Sequence, residues 1–317
     1  MKKLFLLAAS ALMVLASCSK TDIVYQNETP QEIGLFSVAK KQTKAAIDGE
    51  VFNHNNMAVT AYLAAAASAE TKVFFEKTTF TKDGTTNNFK GGKYWPIENC
   101  TLNFFAIAPE IKDKVETDFE TNQTTATATA TVTVNNNQNN QIDVMYAVGQ
   151  GKKTDSNPQN VTMTFNHALS WVDFQFKSNL AITINKITVE NACFNGELTV
   201  QNTNFTNTST QAVTANWNTT SEVSPYTVQG SALTLKANDS EYKSYNNGVL
   251  VIPTNEKTTF KIKYSYDGHE YTYTHPDCEW TNMSKKYIYK IDMQLQQIII
   301  TPNVTDWTDV DNPFALN

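Results

Sequence analysis

The chain has 317 residues, of which 25 are basic and 31 acidic, so its formal net charge at pH 7 is −6. Every basic residue is a lysine, so the chain has no guanidinium group that could clamp a phosphate or carboxylate bidentately. An acidic chain with scattered lysines argues against a nucleic-acid partner, and the length predicts one large or two medium-sized domains.

The N-terminal segment predicts export. Two lysines precede an apolar run over residues 4–15, which is too short to cross about 30 Å of hydrocarbon and is typical of a secretory signal peptide. The following Leu-Ala-Ser-Cys sequence, ending at Cys18, resembles the lipobox of bacterial lipoproteins. We therefore predict a signal peptide over residues 1–17 and an acyl anchor (palmitate) on Cys18 that holds the protein to the outer membrane. An ordinary signal peptide with a chance cysteine is the alternative.

Residues 18–32 are polar and irregular and predict a tether. From residue 33 onward, apolar and polar residues alternate in many short runs separated by turn-forming Asn, Asp and Gly, a pattern typical of strands in antiparallel sandwiches. The clearest runs are residues 126–134, 260–266 and 286–295. We predict an all-β protein. A polar break near residues 152–160 divides it into an N-terminal β-sandwich domain (33–156) and a C-terminal one (157–317).

One segment conflicts with this pattern. Residues 58–70 are rich in alanine and, taken alone, favour a helix. Their β-branched residues and strand-rich surroundings support a strand that runs into a loop equally well, so the residues alone leave both interpretations open.

Residues that carry chemistry are sparse. The four histidines lack metal-ligand spacing, and no zinc-protease, nucleophile-elbow or phosphate-loop motif occurs. We therefore predict that the chain is not an enzyme and has no catalytic residue, cofactor or metal site. An aromatic face built from Trp217, Tyr226 or Trp280 could bind glycan, although single aromatic residues in β domains usually belong to the core. A secreted hydrolase is the most distant alternative.

Three cysteines remain if Cys18 carries a lipid. Cys100, Cys193 and Cys278 are far apart in sequence and lack metal-binding spacing. Because an odd number of thiols cannot all pair within one chain, the first interpretation is three buried free thiols. One disulfide and one free thiol is the alternative.

Several motifs together resemble a known family. They are Tyr94-Trp95-Pro96 with Leu102–Pro109 (LNFFAIAP), Ile142–Ala147 (IDVMYA), Val161–Ser170 (VTMTFNHALS), Val251–Pro253, Tyr287–Ile291 and Trp307. In this order and spacing they resemble the fimbrillins, the FimA-like and Mfa-like (type V) pilin lipoproteins of Bacteroidales. The resemblance covers the chain from about residue 33 to residue 307.

The resemblance implies a fold and a function. The fold would be two tandem transthyretin-like antiparallel β-sandwich domains, with the alanine-rich segment as a strand. The function would be that of a structural subunit of a cell-surface fimbria, or pilus, which is exported as a lipoprotein, assembled by strand exchange and supports cell adhesion. His167, within the third motif, would have a structural role at the domain junction.

The resemblance also implies roles for particular residues. A strand containing Ile33, Leu35, Phe36 and Val38 would be displaced after proteolysis of the loop that holds Lys40, Lys41 and Lys44. A strand donated by another subunit would replace it. The candidate donor is the C-terminal tail, Ile298, Ile299 and Ile300 together with residues 304–316, and the alternative is that the isoleucines close their own sheet. Well-studied family members are cut after arginine, which this chain lacks, so either a different protease acts or the subunit stays uncut.

The expected partners follow from these roles. They are other fimbrial subunits in a homo- or hetero-polymer, the outer membrane through the lipid, and a host or bacterial surface receptor, with no nucleic acid. The alternatives are a fimbrial anchor subunit and a non-polymerising surface lipoprotein that binds glycan.

Overall fold

Strands dominate the structure, as the period-two alternation of the sequence predicts. The computed structural model describes residues 30–39, 52–63, 72–110, 115–121, 126–135, 140–153, 160–202, 213–219, 223–228, 230–295 and 297–307. The strands, numbered in chain order, are β1 Glu32–Ala39, β2 Asn56–Leu63, β3 Lys72–Lys82, β4 Asn88–Tyr94, β5 Cys100–Ala108, β6 Val115–Thr121, β7 Ala126–Thr133, β8 Met145–Lys153, β9 Val161–His167, β10 Ser170–Ser178, β11 Ile182–Cys193, β12 Asn195–Asn202, β13 Val213–Thr219, β14 Val223–Val228, β15 Leu233–Leu235, β16 Asp239–Ser244, β17 Val249–Val251, β18 Thr258–Tyr266, β19 His269–Cys278, β20 Lys285–Met293 and β21 Ile298–Asp306.

The first strands close into a barrel in the order β1-β4-β3-β2-β5-β8-β9. Closure depends on β1, which pairs antiparallel with β4 and parallel with β9. The interior is filled by alternate side chains of the strands, among them the fully buried Phe80, Phe89, Phe104 and Phe165. In the described residues each of the seven strands pairs with two neighbours, although β3 and β4 pair only at Thr81–Lys90 and Lys82–Phe89.

The remaining strands form three sheets. Their orders are β16-β10-β20-β21 with β17 also paired to β10, β14-β11-β18-β19 with β15 also paired to β11, and β13-β12-β7-β6. The first two face each other, because Phe174 of β10 and Tyr289 of β20 each lie with their ring centroids 5.0 Å from that of Phe260 in β18. A large apolar core runs between these sheets.

Strand pairing crosses the boundary that the sequence predicts between residues 156 and 157. Strand β9 follows that boundary yet completes the barrel beside β8 and β1. Strand β7 precedes the boundary yet pairs along its whole length with β12. If the chain were divided there, each domain would contain a strand that is hydrogen-bonded to strands of the other domain. The division into residues 33–156 and 157–317 stays a prediction.

The all-β prediction is confirmed. The part of the chain that the structure describes contains no α-helix, and accordingly no helix there is long and apolar enough to span a membrane. The start of the alanine-rich segment is strand β2, which lies between β3 and β5, so burial in a sheet overrides helix propensity. The more specific prediction of two tandem transthyretin-like sandwich domains stays a prediction.

The three cysteines are free thiols, so the disulfide alternative was wrong. Cys193 and Cys278 are buried as predicted, whereas Cys100 at the start of β5 is only partly buried. Burial raises the pKa of Cys278 to about 11, which keeps this residue in the thiol form at neutral pH.

Candidate strand-exchange site

Strand β1 has an inward and an outward face. Ile33 and Leu35 have no exposed surface, and the small Ser37 and Ala39 continue the buried row. Phe36 points outward and is 38% exposed, and Val38 is partly buried. Of the four residues predicted for a displaced strand, two therefore fill the barrel and two face outward, as the strand period requires.

The two neighbours of β1 hold different parts of it. Residues 32–36 pair with β4, and residues 35–39 pair with β9. Withdrawal of β1 would free one edge of β4 and one edge of β9 and would open the space that Ile33 and Leu35 fill. Such a groove offers backbone groups and apolar pockets at alternate positions, which are the two elements that strand addition uses.

Other predicted residues of this site lie outside the described part of the chain. They are Cys18, predicted to carry the lipid, and Lys40, Lys41 and Lys44, predicted to mark the cleaved segment. Lys40 directly follows the last residue of β1 in the sequence, so a cut after any of these lysines would separate β1 from the rest of the barrel.

The three isoleucines of the predicted donor lie in β21, which pairs with β20 along its whole length, from Ile298 beside Met293 to Asp306 beside Lys285. Ile298 and Ile300 pack against the core, whereas Ile299 is 42% exposed. The isoleucines thus take part in their own sheet, which is the alternative that the sequence left open. Whether they also act as a donor stays a prediction.

A buried cluster joins the end of β9 to the end of β21. Nδ1 of His167 lies 2.8 Å from Oδ2 of Asp143, and neither side chain is appreciably exposed. The ring of His167 stacks on Trp307 with centroids 4.0 Å apart and planes 3° apart. Ser284 completes the link, because its hydroxyl donates to the carbonyl of His167 at 2.7 Å and its own carbonyl accepts from the Trp307 amide at 3.0 Å. The sequence indicated a structural His167 but gave no sign of its partner Asp143, although Asp143 lies within another of the quoted motifs.

Comparison with known proteins confirms the family resemblance that the sequence motifs indicated. A model of the fimbrillin-like family matches residues 43–307, most of the chain. The chain belongs to the fimbrillin-like family. This is a family of fimbria-related cell-surface proteins rather than of enzymes, which confirms the prediction that the chain is not an enzyme.

Solved structures of similar proteins share the fold of this fimbrillin-like chain. A fimbrial protein from Bacteroides vulgatus is 17% identical, covers 88% of this chain and 100% of its own, and superposes with a TM-score of 0.58. A candidate cell adhesion protein from Bacteroides ovatus is 14% identical over 90% of this chain and 100% of its own, with a TM-score of 0.55. A further candidate cell adhesion protein, from Bacteroides uniformis, is 15% identical over 87% of this chain and 99% of its own, with a TM-score of 0.52. No curated protein matches the chain.

The aromatic residues weighed for glycan binding occupy different environments in this fimbrillin-like protein. Tyr226 and Trp280 are 3% and 1% exposed, so the interpretation that they belong to the core is confirmed and neither can form a binding face. Trp217 is partly buried and lines a surface cleft. Among the described residues, no group of His, Cys, Asp and Glu side chains could hold a metal ion.

Proposed function

We propose that this fimbrillin-like protein is a structural subunit of a cell-surface fimbria that supports adhesion. It is exported as a lipoprotein through Cys18, held at the outer membrane until processing, and assembled with other subunits by strand exchange. Residues 33–156 and 157–317 would correspond to the two transthyretin-like sandwich domains of the family. The observation that carries this proposal is the position of β1, whose removal would open a groove between β4 and β9 in an otherwise closed barrel.

The donor that we propose is the segment after Trp307. Strand β21, residues 298–306, already pairs with β20. The cluster around His167 fixes Trp307 directly after the end of β21. In the remaining tail, the alternate positions are Val310, Asn312, Phe314 and Leu316. They combine apolar residues with one polar residue, as do the inward positions of β1, Ile33, Leu35, Ser37 and Ala39. Pro313 lies between them and would forgo one backbone hydrogen bond.

The N-terminus of the protein on intact cells tests the processing step. We expect mass spectrometry of purified fimbriae to find chains that begin within residues 40–45, without the lipid. Chains that all begin at an acylated Cys18 would instead identify an uncut anchor subunit, and chains that begin at an unmodified residue 18 would contradict the lipoprotein assignment.

The donor segment is tested by two matched sets of substitutions that leave β21 intact. Replacing Val310, Phe314 and Leu316 with Asn removes the apolar side chains from one face, and we expect it to abolish polymers on denaturant-free gels. The control set, Asp309→Asn, Asp311→Asn and Ala315→Ser, changes the other face and should assemble normally. Normal polymers from the first set would show that this tail is not the donor.

A further inference from the structure

A surface cleft away from β1 has the properties of a small-molecule site. It encloses about 330 Å³ and is lined by Asn216, Trp217, Thr219, Pro253, Thr254, Asn255, Glu256, Thr281 and Met283. Three separate segments meet there: strand β13, the loop after β17 and the loop before β20. Its volume lies within the range of about 300–1,000 Å³ that small-ligand pockets occupy. We call it the Trp217 cleft.

The indole of Trp217 is held in a fixed orientation. Its N–H donates to the carbonyl oxygen of Ala168 at 2.7 Å. The backbone of Gly196 lies against its six-membered ring, since a Cβ atom on this glycine would be 3.2 Å from Cε3. An aromatic ring that is backed by protein and anchored at its edge needs little ordering when a ligand stacks on it.

The loop after β17 is also fixed at its base. Pro253 and Thr254 are buried, and the amide of Thr254 donates to the carbonyl of Trp280 at 3.0 Å. The hydroxyl of Thr254 accepts from the amide of Glu256 at 3.1 Å. This local turn presents the next side chains, Asn255 and Glu256, to solvent at the edge of the cleft.

Polar side chains with free hydrogen-bonding capacity surround the indole. Asn216, Asn255 and Glu256 are exposed, and none of their side chains has a hydrogen-bond partner among the residues that the structure describes. Among the described residues that line the cleft, only Glu256 is charged. An anionic ligand would meet this carboxylate without a compensating cation. A simple ammonium ion would find a single aromatic ring, not the several rings of an aromatic cage.

We propose that the Trp217 cleft binds a neutral carbohydrate of one or two pyranose rings. The C–H face of a pyranose would stack on the indole, and its hydroxyl groups would exchange hydrogen bonds with Asn216, Asn255 and Glu256. This site goes beyond the proposed assembly function and does not depend on it, because no residue of the cleft belongs to β1 or to the tail.

Saturation-transfer NMR on the full mature protein tests the proposal. The probes are the methyl glycosides of glucose, galactose, mannose and N-acetylglucosamine, together with lactose and cellobiose. We expect at least one to bind, whereas N-acetylneuraminic acid and Nα-acetyl-lysine amide should not. Binding of none of the neutral probes, or of the lysine derivative in preference to them, would overturn the proposal.

Substitutions then locate the bound sugar. Asn255→Ala and Glu256→Ala change only exposed loop side chains, so the fold should persist, and each should weaken binding about tenfold through loss of a hydrogen bond. Trp217→Leu should abolish binding. Tyr271→Ala is the matched control, since Tyr271 is an exposed aromatic residue on the β18–β19 hairpin, 42% accessible. Unchanged affinity in both loop variants, or an equal loss in the control, would contradict the assignment to this cleft.

Discussion

At the scale of single residues, burial decides how strongly a pair of ionisable side chains affects stability. The pair formed by Asp143 and His167 and the pair formed by Asp83 and Lys90 have the same separation of 2.8 Å. The first is buried against Trp307, whereas both partners of the second are about half exposed. Water screens the exposed pair, so the two should differ greatly in their effect on stability.

Removing one partner from each pair tests this difference. Asp143→Ala leaves His167 buried without its carboxylate and should lower the free energy of unfolding by about 3–5 kcal/mol. Lys90→Ala removes the exposed pair and should leave the free energy of unfolding almost unchanged, because water screens this pair. Urea denaturation at neutral pH measures both, and similar losses in the two variants would contradict the structural role of the buried cluster.

His54 should make the stability of the protein depend on pH. Burial is the largest cause of the lowered pKa of His54, which is about 4 instead of 6.5; the nearby Asp143 opposes this lowering, whereas proximity to His167 and Lys82 adds to it. Between these values the unfolded chain binds a proton that the folded chain does not, so the free energy of unfolding falls as the pH drops from 6.5 towards 4. The contribution of His54 to that fall is roughly 3 kcal/mol.

The control for this pH dependence is His54→Phe, which keeps a ring beside Phe52, whose centroid lies 5.4 Å from that of His54. Urea denaturation at several pH values should give a flatter profile for this variant than for the natural protein. Identical profiles would show that His54 is not the group responsible.

At the scale of elements, alternation predicted which side of a strand is buried. In β20 the predicted inward residues Tyr287, Tyr289, Ile291 and Met293 are all 5% exposed or less. Leu295 continued the same alternation in sequence but is 64% exposed, because β20 ends at Met293. The alternation thus indicates which side chains of a strand are buried, whereas pairing with the neighbouring strands decides at which residue the strand ends.

The pairing of strands was beyond the reach of the sequence. Parallel contact of β1 with β9 joins residues more than a hundred positions apart, and no local pattern encodes such a register. The fit of β8 against β9 depends on Gly149, where a Cβ atom would lie 2.3 Å from Sδ of Met163 and 3.1 Å from the carbonyl oxygen of Thr162. This glycine could be recognised as a packing requirement only once its neighbour was known.

The two faces of β1 should contribute unequally to stability. Leu35→Ala creates a cavity inside the barrel and should lower the free energy of unfolding by about 2–5 kcal/mol. Phe36→Ala trims a neighbouring outward side chain that is already 38% exposed and should cost roughly 1 kcal/mol or less. Urea denaturation compares the two, and an equal cost would mean that β1 does not fill the barrel as described.

At the scale of the whole molecule, the sequence motifs identified the family and the all-β class, and the family match confirms the first of these. The motifs did not show that the chain passes back and forth between the barrel and the other sheets, with β7 beside β12 and β9 beside β1. This arrangement matters for function. If β1 leaves, the barrel loses its closure, while the rest of the molecule keeps its own sheets and core.

A reversible lock on β1 tests strand exchange most directly. Phe36 and Asn88 lie opposite each other on β1 and β4. The amide of the next residue, Ser37, donates to the carbonyl of Asn87, so Phe36 and Asn88 form a non-hydrogen-bonded pair. The Cα atoms of such a pair lie about 4.5 Å apart, a distance at which a disulfide can form. The variant carries Phe36→Cys, Asn88→Cys and Cys100→Ser, so that the new pair is free of the partly exposed native thiol.

The measurement is polymer formation by this variant after cleavage of the loop that follows β1, with and without reductant. Strand exchange predicts that the oxidised protein stays monomeric because β1 cannot leave, and that the same protein polymerises once the disulfide is reduced. Polymers of equal length and yield from the oxidised and reduced protein would contradict the proposal that β1 gives way to a strand from another subunit.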